Sequence, residues 1–204
     1  MEFWHNTIID KSFHTLQALR KEYDFVLIGG WAVFLYTKAL KSKDIDIIVA
    51  PEILGRLKTQ FDVSKNERLK KYEIKFEGFD IDIYLPHWSV LGLPVEFIVK
   101  NTTSLGGFLV PTKEILLILK LFVYQQRKGS LKGRKDALDI IALLYYGGMD
   151  MDKFSNILKK YSLEGLKDEL SELFDSMVEV KELNIGRKQF ADFKKKLKSK
   201  IHRA

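Results

Sequence analysis

The stretch IGGWAVFLYTKALKSKDIDIIV, Ile28 to Val49, leaves few folds open to this chain. An apolar strand, Phe25 to Ile28, runs into Gly29-Gly30, and a short apolar helix, Trp31 to Tyr36, follows. A basic loop with Lys38, Lys41 and Lys43 then leads into a second strand that opens Asp44-Ile45-Asp46. Two glycines at a strand-to-helix turn let backbone approach a ligand, and N–H groups at a helix start suit a phosphate. Side chains alternate faces along a strand, so Asp44 and Asp46 point one way and Ile45 the other. Two carboxylates on one side of a strand repel unless a cation lies between them. Oxygen ligands of this type suit Mg²⁺, which usually binds substrate phosphates as well. A phosphate cradle beside a carboxylate pair is what metal-assisted phosphoryl or nucleotidyl transfer needs. The plain alternative is a tight turn followed by two solvated aspartates.

Around this stretch the N-terminal half reads as mixed helix and strand. Ile9, Phe13, Leu16 and Leu19 form one face of a helix over Thr7 to Tyr23, and Pro51 opens a short helix through Gln60. Tyr72 to Phe76 and Phe79 to Leu85 are two strands across Glu77-Gly78. In the second, Asp80, Asp82 and Tyr84 share a face, with Phe79, Ile81, Ile83 and Leu85 on the other. An unpaired buried carboxylate is costly, so such acids mark a wet or a functional face. Pro86 to Thr103 reads as irregular, with His87 and Trp88 lining a base pocket or packing locally. Leu105 to Val110 is a short strand or hairpin joining the two halves.

The C-terminal half is helical. Pro111-Thr112 starts a helix through Arg127, where Lys120, Tyr124 and Arg127 form a second stripe that periodicity alone reads as a solvated face. After the turn Gly129 to Gly133, a helix spans Arg134 to Tyr146; its early acids Asp136 and Asp139 are explained by the helix dipole. Gly147-Gly148 ends it, Ser162 is the expected N-cap of a later helix, and Asn184 to Gly186 breaks the chain. The last helix buries Phe190, Phe193, Leu197 and Ile201 and carries Lys194, Lys195, Lys196, Lys198 and Lys200 on its other face. That face suits RNA phosphates, water or a partner protein equally well.

Charge and composition narrow the function classes. Met1 to Leu105 holds 14 Lys and Arg against 14 Asp and Glu, whereas Gly106 to Ala204 holds 20 against 13, the whole net charge of +7. A basic half suggests a polyanionic partner such as RNA, DNA or nucleotide phosphate, or else a lysine-rich solvated surface. With no cysteine, disulfides, Cys-zinc sites and thiol catalysis are excluded. His5, His14, His87 and His202 show no zinc spacing, and P-loop, GxGxxG and nucleophile-elbow motifs are absent. No apolar run reaches membrane-span length, which reads as a cytoplasmic protein without a membrane partner.

The order hydrophobic residue, Gly29-Gly30, helix, Asp44-Ile45-Asp46 resembles the signature of the DNA polymerase beta-like nucleotidyltransferase superfamily. Within it, Lys41-Ser42-Lys43-Asp44, the helix PTKEILLILKL and RKDALDI resemble the AbiEii-type nucleotidyltransferases, some of which are toxins of type IV toxin–antitoxin systems. The resemblance covers about Ile28 to Leu144. It implies an α+β fold: a nucleotidyltransferase-type mixed sheet with flanking helices over 1–105, then a helical domain over 106–204 that completes the active-site cleft. It implies a third metal-site carboxylate, Asp82 with Asp80 as the neighbouring alternative, so that Asp44, Asp46 and Asp82 hold Mg²⁺, two ions in all. It also implies that Gly29, Gly30 and Ser42 bind the NTP phosphates, that Lys120 is a functional lysine and Asp136 a functional acid. The implied enzyme moves an NMP from an NTP to an acceptor hydroxyl, RNA of tRNA type being the first choice and an antitoxin protein a possible partner. Other acceptors are an antibiotic-like small molecule or a protein side chain; a fold used only for binding is the non-enzymatic reading.

Overall fold

A computed structural model describes residues 2–201, with side chains from residue 6 onward, so Met1, His202 and the side chain of His5 lie outside the described residues. The chain divides into two compact units, Met1–Thr112 and Lys113–Ala204. The first holds a seven-stranded mixed sheet; the second is helical.

In the first unit, α1 (Glu2–Glu22) leads to β1 (Val26–Ile28), α2 (Gly29–Thr37), β2 (Ile45–Ile48) and α3 (Pro51–Gln60). Then come β3 (Val63–Asn66), β4 (Lys71–Lys75), β5 (Asp80–Tyr84), α4 (Val95–Lys100), β6 (Thr102–Leu105) and β7 (Phe108–Pro111). The strand order is β3-β4-β5-β2-β1-β7-β6. β2 runs parallel to β5 and β1 parallel to β7; the other neighbours are antiparallel. Period-two alternation sends Leu27, Ile45, Ile47, Ile81 and Ile83 into the core, each at most 1% exposed. Helix α2 is anchored through Trp31, which is 1% exposed, donates to Ser12 Oγ on α1 at 3.0 Å and packs against Phe13 with the rings tilted by 37°.

Two of these elements differ from the sequence expectation. Residues 63–66 (Val-Ser-Lys-Asn) form an edge strand although only Val63 is apolar, because β4 supplies the ladder. Val95–Lys100 is a helix inside a segment that reads as irregular. The compact units divide after Thr112, and β7 belongs to the sheet because it pairs with β1.

The second unit consists of α5 (Lys113–Gln126), α6 (Leu131–Tyr146), α7 (Met151–Lys160), α8 (Gly165–Ser176) and α9 (Arg187–Ile201). Helix α6 starts earlier than expected: Ser130 caps it, accepting from the Gly133 N–H at 3.0 Å. Ser162 is not a cap; it sits in the left-handed region at φ 55°, and Glu164 holds the cap position of α8. Two lysines of α9 have structural employment. Lys194 Nζ donates to the Phe174 and Met177 carbonyls at the end of α8, at 2.7 and 2.8 Å, and Lys198 pairs with Asp175 at 2.5 Å. Among the described residues no helix is long and apolar enough to cross a membrane.

Candidate active site

The sheet register brings two of the predicted carboxylates together. β2 and β5 are parallel neighbours in which Asp46 lies opposite Asp82, so both side chains leave the same face about 4.8 Å apart at the backbone. Asp44 lies just ahead of β2, where its Oδ1 accepts from the Asp80 N–H at 3.3 Å and stands 3.8 Å from Lys43 Nζ. The register therefore separates Asp80 from Asp82: the first neighbours Asp44, the second Asp46.

Each carboxylate is held differently. Asp46 Oδ1 accepts from the Tyr84 hydroxyl at 3.5 Å. Asp82 Oδ2 accepts from Lys71 Nζ at 2.6 Å, while Asp82 Oδ1 is buried without a hydrogen-bond partner. Lys71 also reaches Glu73 Oε1 at 2.8 Å. Burial, followed by the charge of Asp46, pushes the Asp82 carboxyl up to about 7 against the pull of Lys71. Pairing with Lys71 holds Glu73 below the usual carboxylate range.

The glycine pair has a second reason besides ligand approach. Gly29 has φ +67°, and a Cβ there would overlap the Asp46 carboxylate. The turn thus needs glycine both for its left-handed backbone and for the side chain that packs on it. Gly30 is buried in the first turn of α2. Ser42 is 2% exposed and donates to the Asp44 carbonyl at 3.2 Å, which holds the approach to the Asp44-Ile45-Asp46 strand. Trp88 packs on Tyr72 with ring centroids 4.9 Å apart. Tyr72 alternates with Lys71 and Glu73 along β4, so Trp88 packs on the opposite sheet face from the carboxylates. His87 is bound to Glu96 through its N–H at 2.7 Å and Nδ1 at 2.8 Å.

Among the described residues no three His, Cys, Asp or Glu side chains gather closely enough to hold a metal ion by themselves. Mg²⁺ does not require that. It is usually held by one or two carboxylates, substrate phosphates and water. Asp46 and Asp82, with the unpartnered Asp82 Oδ1, meet that requirement.

In the second unit, Lys120 of α5 is 11% exposed and lies between two acids of α6. Its Nζ is 2.7 Å from Asp139 Oδ2 and 3.2 Å from Asp136 Oδ1, and Arg127 Nε is 2.8 Å from Asp136 Oδ2. The helix-dipole account of these acids is thus incomplete: both are buried, at 4% and 1% exposure, and both neutralise cations. Asp139, read from sequence only as a neighbour, is the closer of the two. Asp139→Ala is expected to destabilise the protein by about 3 kcal/mol, roughly 6–12 °C in Tm, because Lys120 loses a buried partner. A thermal melt checks this.

Lys71 and Glu73 are not among the residues that the sequence motifs single out. The hairpin nevertheless carries their placement: a two-residue turn at Glu77-Gly78 puts Lys75 opposite Asp80, and hence Glu73 opposite Asp82.

The raised proton affinity of Asp82 has a measurable consequence. A carboxyl that titrates near 7 when folded and near 3.8 when unfolded binds more protons in the folded state between those values. Stability therefore falls as pH rises from about 4 to about 7 and is level above. Thermal melts in chelator are expected to show this slope in the native protein and to lose most of it in Asp82→Asn.

No family model matches the chain, and no curated protein matches it. Solved structures do. JHP933 from Helicobacter pylori is similar at 16% identity, with a TM-score of 0.53 over 96% of this chain and 92% of that one. A candidate nucleotidyltransferase from H. pylori is similar at 16% identity, with a TM-score of 0.52 over 96% and 94%. The antibiotic-resistance factor ANT(2'')-Ia is similar at 14% identity, with a TM-score of 0.51 over 79% and 95%. At these identities the likeness establishes the fold, which is the α+β fold of nucleotidyltransferase-like proteins.

Proposed function

We propose that this protein is a nucleotidyltransferase that moves an NMP from an NTP to an acceptor hydroxyl and releases pyrophosphate. The observation that carries the reading is the Asp46–Asp82 pair: two carboxylates in register on adjacent parallel strands, one with a buried oxygen lacking a partner, beside a glycine turn that packs on Asp46. A binding module has no use for half-buried like charges held side by side. The shared fold and the order of Gly29-Gly30 and Asp44-Ile45-Asp46 support the same assignment.

In this reading Asp46 and Asp82, with Asp44 beside them, hold Mg²⁺. The ion, when bound, neutralises charge on the triphosphate and lowers the pKa of the acceptor hydroxyl. The acceptor oxygen forms a bond to the α-phosphorus, the bond from that phosphorus to the bridging oxygen breaks, pyrophosphate leaves with that oxygen, and the hydroxyl proton passes to solvent. Gly29 and Gly30 offer backbone to the phosphates, and Ser42 holds the loop that sets Asp44. Lys120 as a phosphate-directed cation and Asp136 as its positioning acid enter through the AbiEii-type resemblance alone; within α5 and α6 the two form an ion pair.

For the acceptor, RNA of tRNA type is the first reading, as in the toxin-like AbiEii relatives, with an antitoxin as the partner such a role implies. The basic C-terminal half supports it. On α9 the exposed cations Lys188, Lys195, Lys196 and Lys200 are the ones to consider, since Lys194 and Lys198 serve the fold. A small-molecule acceptor is the second reading, favoured by the likeness to an antibiotic-resistance factor. Incubation with Mg²⁺, each α-labelled NTP and total RNA tests the assignment, with Asp46→Asn as control. Label in a discrete RNA band with the native protein alone supports RNA. NTP turnover without RNA labelling moves the assignment to a small molecule or protein. No NTP binding overturns the enzyme reading.

A further inference from the structure

The register that joins Asp82 to Asp46 also places Glu73 opposite Asp82. Glu73, Asp82 and Asp46 therefore form one row across β4, β5 and β2. Like charges directly opposite one another in a sheet are destabilising, so the row needs a cation. The chain provides one. Lys71 precedes Glu73 by two residues and so leaves the same face of β4. Its Nζ lies 2.6 Å from Asp82 Oδ2 and 2.8 Å from Glu73 Oε1, and its side chain is only 13% exposed. Asn66 Nδ2 donates to the same Glu73 oxygen at 3.3 Å, which fixes Glu73 in turn. A lysine this enclosed, between two acids on neighbouring strands, is held rather than solvated.

The charges are informative. Three carboxylates and one ammonium leave the ionised row with two negative charges, which one divalent cation neutralises. Such a cation at Asp46 and Asp82 repels the ammonium that now occupies Asp82 Oδ2. Glu73, already in contact with that ammonium, gives it a partner without exposing it to apolar surroundings.

We propose that Lys71 is the resident counter-ion of the carboxylate row and a positioning residue for its metal: it competes with the divalent cation for Asp82, and Glu73 retains its ammonium when the cation binds. The proposal rests on the reading of Asp46 and Asp82 as metal-binding carboxylates. It makes two substitutions on one strand act in opposite directions. Removing Lys71 removes the competitor; removing the Glu73 charge leaves the ammonium no alternative to Asp82.

The test is Mn²⁺ binding to the full chain without nucleotide, by calorimetry and by Mn²⁺-dependent thermal shift. Lys71→Met is expected to bind Mn²⁺ about tenfold more tightly than the native protein, and Glu73→Gln about tenfold more weakly. Lys43→Met, which removes an exposed ammonium 3.8 Å from Asp44, is the charge-only control and is expected to change affinity by no more than about twofold. If Lys71→Met does not fold, Lys71→Gln, which keeps a donor for Asp82, carries the same test. Native binding with Lys71→Met no tighter, or no tighter than the Lys43→Met control, overturns the counter-ion role and leaves the carboxylate reading intact. Absence of Mn²⁺ binding in the native protein and every variant overturns the carboxylate reading and this proposal with it.

Discussion

Asp46→Asn is expected to lower NMP transfer by about 10²–10³-fold and, in chelator, to raise the thermal stability of the protein. The first effect follows from loss of a fixed charge that acts on the reacting phosphates through the metal, and such losses are typically of that size. The second follows from the row itself. Above about pH 7, where Asp82 is ionised, two unit charges separated by about the strand spacing of 5 Å repel by about 3 kcal/mol at an effective dielectric of about 20. That repulsion is part of what pushes Asp82 up to about 7. Activity lost together with stability gained is the signature of a residue kept for function, and Asp46→Asn separates it from a structural role, for which both quantities fall. Steady-state transfer assays and melts in chelator measure the two arms.

Gly29→Ala is expected to fail in the other way, with transfer and stability both reduced. A non-glycine residue at φ +67° costs about 1–2 kcal/mol from the backbone alone. The new Cβ also meets the Asp46 carboxylate, which has to leave its place in the row, so the stability loss exceeds the backbone figure and transfer falls by at least about 10²-fold. Gly55→Ala is the matched control. It lies inside α3 with open space around its Cβ position, and is expected to raise stability by about 0.5–1 kcal/mol. Parallel melts and transfer assays on the two alanine variants decide whether Gly29 is required for position or merely for helix entry.

The two variants show what the sequence made legible and where its logic stopped. The Gly29-Gly30 turn and the Asp44-Ile45-Asp46 strand are readable because each rests on local rules: positive φ at a turn, alternation along a strand. The reason for Gly29 was only half readable, since the space its missing Cβ leaves is filled by Asp46, which belongs to a strand seventeen residues away. Helix α3 begins at Pro51 and ends at Gln60 as its pattern implies, because proline and an apolar stripe are both local signals.

What the sequence concealed depends on partners. β3 carries few apolar residues, and its strand conformation comes from the hydrogen-bond ladder of β4. Lys71 and Glu73 look like ordinary charges of a surface strand until the hairpin register sets them against Asp82. Asp136 and Asp139 look like dipole-compensating acids until α5 brings Lys120 to them. The lysines of α9 look alike in sequence, yet Lys194 holds the end of α8 and Lys198 an acid of that helix. In each case a side chain takes its role from an element distant in the chain, and periodicity along one element carries no information about that.

Whether the Asp46–Asp82 pair holds a divalent cation together with an NTP is decided by calorimetric binding of a non-hydrolysable NTP analogue. Native protein and Asp46→Asn are compared, each with Mg²⁺ and with chelator. Binding by the native protein is expected to require Mg²⁺ and to be lost in Asp46→Asn. Equal binding with and without Mg²⁺, or full Mg²⁺-dependent binding by Asp46→Asn, would contradict that expectation.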